Sequence, residues 1–152
     1  MLPFRRIFCP LDFSGPSRTA LQAAVELAEQ FGAELVLVHV IPPAAPGIPA
    51  DPTYAFAGTE EYTKAVQIKA EEQLPLTAQG LPEGLRSRKV IGVGHAADEI
   101  VRLANEQSAD LIVIATHGLT GWRHLIFGSV AEKVIRLAQR PVLVVPVHEP
   151  QS

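Results

Sequence analysis

The sequence predicts an α/β fold in which a doubly wound, five-stranded parallel sheet carries helices on both faces. Three observations predict it. Short apolar runs rich in β-branched residues alternate with segments whose apolar residues recur at helical spacing. Two of those runs, ELVLVHV at 34–40 and LIVIAT at 111–116, are apolar on both faces, as strands covered from each side require. Successive strands are separated by a helical crossover, the connection that parallel strands need and that turns right-handed.

Residues 4–11 (FRRIFCPL) form the first strand, with Arg5 and Arg6 at its start and Ile7, Phe8, Cys9 and Leu11 inward. Pro10 lacks a ladder donor and therefore belongs at the carboxyl end of that strand. The cluster Asp12-Phe-Ser14-Gly-Pro-Ser17 is a turn and helix start. A helix over 17–31 places Leu21, Ala24, Val25, Ala28 and Phe31 on one face, and Gly32 ends it in the left-handed conformation that glycine adopts cheaply. The second strand, 34–40, leads into 41–58, where Pro42, Pro43, Pro46, Pro49 and Pro52 predict an extended, mobile surface loop. Thr59 is placed to cap the next helix, with Glu60 and Glu61 at the positive end of its dipole. Pro75 is expected to end or kink that helix near Gln73. A third strand at 86–91, a turn at Gly92-Val-Gly94 and a helix over 96–107 with Ala97, Ile100, Val101 and Ala104 inward come next. The fourth strand is 111–116. Ser129-Val-Ala-Glu132 has the spacing of a capping box, so a helix over 130–139 is expected to bury Val130, Val134 and Leu137. Residues 141–147 (PVLVVPV) are the last strand.

Composition excludes several function classes. The 152 residues suit one domain, 1–148, with length for a substantial core. A hydrophobic content of 47% argues for an ordered globular chain. A formal charge of −3 gives no basic face for nucleic acid. No apolar run approaches the ~20 residues that span a bilayer, and the short apolar segment after Arg5-Arg6 does not make a signal peptide. Cys9 is the single cysteine, so no internal disulfide forms and the cytoplasm is the expected compartment. The five histidines, His39, His95, His117, His124 and His148, show no zinc spacing. Neither the G-x-S-x-G elbow of esterases nor the G-x-x-x-x-G-K-[ST] loop of P-loop NTPases occurs.

The stretch LIVIATHGLTGWRHLIFGS at 111–129 stands apart. It runs from a buried-type strand through a loop with Gly118, Gly121 and Gly128 to a helix start at Ser129. Glycine lets backbone approach a phosphate closely, and unpaired N–H groups of a first helical turn attract anions. The same residues also suit a loop that turns and a helix that is capped. In that loop His117, His124 and Arg123 are the charge-bearing groups, and Arg123 is always protonated.

The spacing of this stretch resembles the nucleotide loop of the universal stress protein (UspA-like) family, G-x2-G-x9-G-[S/T] after the fourth strand. Gly118 takes the second glycine, nine residues intervene, and Gly128-Ser129 close the pattern, with Ala115 in the place of the first glycine. The resemblance extends over Pro10-Leu-Asp12-Phe-Ser14, His39-Val40 and GSVAEKVIRLAQRPVLVVP at 128–146. It implies a Rossmann-like sheet of order 3-2-1-4-5 with a ligand at the reversal between strands one and four. It further implies that Pro10 and Asp12 flank a ribose and that Val40 offers backbone groups to adenine. Ala115 and Gly118 would line the ribose and phosphate side, and Gly128, Ser129 and Val130 would give N–H groups to the phosphates. The implied cofactor is ATP or AMP, with or without Mg2+, and the implied partner is a second copy joined through the strand at 141–147. Asp12 also suits a plain Asx-turn opening the first helix. Three functions follow: a nucleotide-binding stress-response module acting as a homodimer, a slow ATP-hydrolysing enzyme, or an interaction protein that has lost nucleotide.

Overall fold

A computed structural model of the chain describes residues 2–43, 60–117 and 127–147. In chain order its elements are β1 (Arg6–Pro10), α1 (Gly15–Phe31), β2 (Glu34–Ile41), α2 (Glu60–Gln79), β3 (Ser87–Val93), α3 (Ala96–Glu106), β4 (Leu111–Ala115), α4 (Ser129–Leu137) and β5 (Val142–Val145). All strand pairs are parallel, and the order is β3-β2-β1-β4-β5. The predicted doubly wound architecture is the one observed.

Period-two alternation divides the strands between two cores. Ile7, Cys9, Leu35, Leu37, Leu111 and Val113 face α1 and Leu74 of α2. Phe8, Val36, Val38, Ile112 and Ile114 face the opposite way, onto Ala97, Ile100 and Leu103 of α3 and Ala131 and Val134 of α4. Each such aliphatic or aromatic side chain stabilises the fold by about 1.5–3 kcal/mol relative to exposure. Cys9 is fully buried, and burial pushes its thiol up to about 12, so it is core and not nucleophile. No described helix is long and apolar enough to cross a membrane.

Several boundaries differ from expectation, each for a local reason. Helix α1 starts at Gly15, because Ser14 caps it by accepting the Ser17 amide at 3.2 Å and Pro16 needs no donor in the first turn. Ile41 belongs to β2, paired with Val93 and buried, so the connection begins after it. The rest of the Pro-rich loop, from 44 on, and Thr59 lie outside the described residues. Helix α2 runs through Pro75 to Gln79, held down by buried Ala70 and Leu74 in the turn before the missing donor. The Thr77 hydroxyl donates to the Gln73 carbonyl at 2.9 Å within the same turn. Gly92 and Val93 extend β3 where a turn is predicted. There a Cβ on Gly92 would stand 2.7 Å from Leu103 Cδ1, so the glycine admits α3 against the strand. Leu103 takes the inward position expected of Val101, which is half-buried. The last strand closes at Val145, four residues long.

The amino-terminal ends of the strands are tied by charge. Asp110 accepts the Arg5 and Arg6 amides at 2.8 and 2.9 Å. Glu34 pairs with Arg6 at 2.8 Å and with Arg88 at 2.9 Å, joining β1, β2 and β3. Burial alone would raise the Glu34 carboxyl, but the hydrogen bonds and charges of the two guanidinium groups outweigh it and hold it below the usual range. A depressed folded pKa contributes stability that is complete above the unfolded value, about 4.3, and is lost as pH falls through the folded one. Glu34→Gln is therefore expected to weaken the fold against urea at pH 7. The gap from wild type should close as titrations are repeated below about pH 4.

Candidate functional site

Helix α1 leaves β1 toward one face of the sheet and α4 leaves β4 toward the other, so the connections part between these two neighbours. Such a reversal opens a crevice at the carboxyl ends of the strands. Hydrogen-bond parity says what faces it. Leu11 donates to the Val38 carbonyl at 2.7 Å, so Leu11 turns its backbone toward β2 and Pro10, one residue earlier, faces β4. Pro10 has no amide hydrogen to give there. The β1–β4 ladder spans Ile7↔Leu111 and Phe8↔Ile112.

Val40 is turned toward the same gap. The Val38 carbonyl faces β1, where it accepts Leu11, and the Ile41 carbonyl faces β3, where it accepts Gly94 at 2.9 Å. Alternation then points the Val40 N–H and C=O to the β1 side, just past the last residue of that strand. Ala115 mirrors this from β4. Thr116 donates to Val145 in β5 at 3.1 Å, so the Ala115 backbone faces β1. Ala115 sits in regular strand, and its methyl packs in the core with Ile7, Cys9 and Val113. It is not at positive φ. Alanine in place of the family's first glycine thus incurs no backbone strain at this position.

The rim is built by two turns. After Leu11, Asp12 Oδ1 accepts the Ser14 amide at 3.0 Å and also the Ser14 hydroxyl, an Asx-turn that orients the carboxylate at the end of β1. Phe13 between them is left-handed at φ 63, a conformation that costs a bulky residue on the order of 1–2 kcal/mol. Its ring lies against His39, centroids 4.7 Å apart, and His39 Nδ1 is 2.7 Å from the Leu11 carbonyl. On the other side of the rim, Gly128 donates to the Thr116 carbonyl at the end of β4 at 2.6 Å, and α4 begins.

Here the structure corrects the capping expectation. Gly128 is the N-cap, no side chain caps this helix, and Ser129 is its first residue. The Ser129-x-x-Glu132 box therefore does not form; the Glu132 amide instead bonds the Gly128 carbonyl at 3.0 Å. The Gly128 amide is committed to Thr116, so the first-turn donors are those of Ser129, Val130 and Ala131. With the helix one residue longer at its start, Ala131 and Val134 face the core, while Val130 and Leu137 are 38% and 40% exposed. Glycine at 128 saves space and not backbone strain: its φ is −68, and a Cβ would stand 3.0 Å from the Thr116 carbonyl oxygen, which would have to give way.

Pro10, Asp12, Val40, Ala115, Gly128, Ser129 and Val130 thus lie together at one end of the sheet. Gly118, with Gly121, Arg123 and His124, lies outside the described residues. Among the described residues no three His, Cys, Asp or Glu side chains gather as a metal site. A groove lined by Ala28, Glu29, Gly84 and Arg86 opens at the opposite end, away from all of these.

The chain matches the profile of the universal stress protein family over residues 3–146. It belongs to that family. A universal stress protein of Methanocaldococcus jannaschii is 34% identical over 150 residues, 93% of this chain and 82% of that one. UspA from Lactobacillus plantarum shares the fold, with a TM-score of 0.81 over 95% of this chain and 99% of its own at 23% identity. A universal stress protein crystallised in complex with cAMP is 28% identical, with a TM-score of 0.59 over 93% of this chain and 97% of that one.

In this family member His39, in sequence one of five scattered histidines, touches both neighbours of Asp12 in the chain. Its signal in the sequence is a lone imidazole in an otherwise aliphatic strand run, ELVLVHV. The tight seat of Gly128 gives a direct test. Gly128→Ala should destabilise the fold by about 1 kcal/mol through overpacking against Thr116, and Gly128→Val by more, measured as urea midpoints at constant m.

Proposed function

We propose that this universal stress protein is an adenine-nucleotide-binding regulatory module, one domain over residues 1–148, that works in the cytoplasm in a stress response. One observation carries the reading: the backbones of Val40 and Ala115 face a common gap above the end of β1. A carboxylate at Asp12 and the open first turn of α4 stand on its rim. A helix start carries roughly half a positive charge and suits phosphate. A relative 28% identical to this chain was crystallised with cAMP, itself an adenine nucleotide.

In this reading ATP or AMP lies across the sheet end, with or without Mg2+ on its phosphates. Val40 presents its N–H and C=O to adenine, and Pro10 and Asp12 flank the ribose, where the carboxylate accepts hydroxyl hydrogen bonds. Ala115 and Gly118 line the ribose and phosphate side. Ser129 and Val130 donate amides to phosphate, while Gly128, by lacking a side chain, keeps that turn close to β4. The bound nucleotide supplies a signal of occupancy: it stabilises the state in which both turns are set.

Thermal melting tests the reading. A ligand at ~100 times its dissociation constant adds about 2.7 kcal/mol, which for a chain of this length raises the melting temperature by roughly 5–11 °C. Asp12→Ala should shrink the rise and Gly128→Val should remove it. Ala115→Gly should leave it unchanged, since the alanine backbone is already regular strand. Curves unmoved by millimolar ATP, ADP and AMP would refute the reading.

The same module is proposed to pair as an antiparallel homodimer through β5. The other sheet edge, β3, is blunted by exposed Ser87, Arg88 and Lys89, whereas β5 reads VLVV with Leu143 39% exposed. Phe127, Val130, Ile135 and Leu137 add exposed apolar surface on or beside α4, the helix that leads into β5. Light scattering at micromolar concentration is expected to give the mass of a dimer, and Leu143→Lys the mass of a monomer.

A further inference from the structure

We infer that His39 is a positioning residue for the base-binding side of this site: it takes the Leu11 carbonyl and so keeps the Val40 amide open to the ligand. The inference rests on the nucleotide reading above for its function, though not for its geometry. Register sets the problem. Pro10 opposes Val38, so Leu11 opposes His39, and the Leu11 amide donates to the Val38 carbonyl at 2.7 Å. In a continuing parallel ladder the Leu11 carbonyl would then accept from Val40, one residue beyond its partner. Among the described residues that carbonyl is instead met by His39 Nδ1 at 2.7 Å, and no Val40-to-Leu11 bond is formed.

A carbonyl oxygen only accepts, so Nδ1 carries the hydrogen in this contact, whatever the charge of the ring. The substitution of donors satisfies Leu11 without the ladder. It leaves the Val40 N–H turned to the gap above β1, where the proposed adenine lies. The same imidazole packs on Phe13, the left-handed residue between Asp12 and Ser14. One side chain therefore secures the residues on both sides of Asp12. An aliphatic residue at 39 could still pack on Phe13 but has no donor for the Leu11 carbonyl.

Two variants separate the donor from the ring. His39→Phe keeps an aromatic face for Phe13 and removes the donor; His39→Asn restores an N–H near the Nδ1 position and removes the ring. Calorimetric titration with AMP should show the Phe variant binding about tenfold more weakly, a change of about 1.4 kcal/mol. The Asn variant should recover most of that loss. Hydrogen exchange of the nucleotide-free protein gives a readout that loss of packing alone would not produce. In the Phe variant the Val40 amide should become protected by about tenfold or more, because it falls back onto the Leu11 carbonyl. Equal Val40 exchange in wild type and the Phe variant would overturn the inference, as would full AMP affinity in the Phe variant. If wild type binds no adenine nucleotide, the functional reading fails, and Val40 exchange still decides whether His39 replaces the ladder donor.

Discussion

Pro10 ends β1 while β2 runs on to Ile41, and the carboxyl end of the sheet is shaped by that difference. A proline in a central strand is ordinarily a defect, since one ladder donor is lost. Here it faces β4 at the point where the two crossovers diverge, so the lost donor lies where the sheet opens. The neighbouring strands keep their alternation past the stop. Their backbone groups at Val40 and Ala115 consequently point across the end of β1 and not into another strand. The crevice is less a pocket cut into the fold than the space left when the middle strand stops first.

Close approach is the second constraint, and small residues enforce it. Ala20, Ala24 and Ala28 recur every fourth residue along the buried stripe of α1, letting that helix lie close over β1 and β4. Gly92 does the same for α3, and Gly128 for the start of α4. The Gly128 case matters most for the site. A side chain there would push the helix start away from Thr116, and the first-turn amides would move with it. Precision at the rim is thus set by packing between backbones and not by a capping side chain.

The two ends of the sheet use polar groups differently. At the amino-terminal end, Glu34, Asp110, Arg6, Arg88 and Gln107 bond one another and the chain backbone, joining β1, β2, β3 and the residues that precede β4. Those charges lock the strands together and are partly exposed, so screening keeps their individual contributions modest. At the carboxyl-terminal end, Asp12 accepts the Ser14 amide and hydroxyl within one turn, and no side chain caps the start of α4. Charge pairs thus gather at one end of the sheet, and a short-range turn and a helix start at the other.

The helix–strand alternation, the parallel sheet and most of the core were legible in the sequence, because burial on both faces demands long apolar runs; the order 3-2-1-4-5 came with the family resemblance. The position of Asp12 at the sheet end was legible through its place after a strand, and that of Gly128 through the loop spacing shared with the family. What the sequence did not disclose depended on contacts between distant segments. Helix α2 continues through Pro75 because Ala70 and Leu74 are anchored to the sheet, a force that outweighs one missing donor. Ser129 lost its capping role because the Gly128 amide reached Thr116 and drew the helix start back by one residue. His39 looked like one more scattered histidine; its partner, Leu11, lies 28 residues away in sequence and is brought opposite only by the β1–β2 register. Local pattern determined which elements form and which faces they bury. Register and close packing, which exist only once strands are paired, decided which backbone groups face the gap above the end of β1.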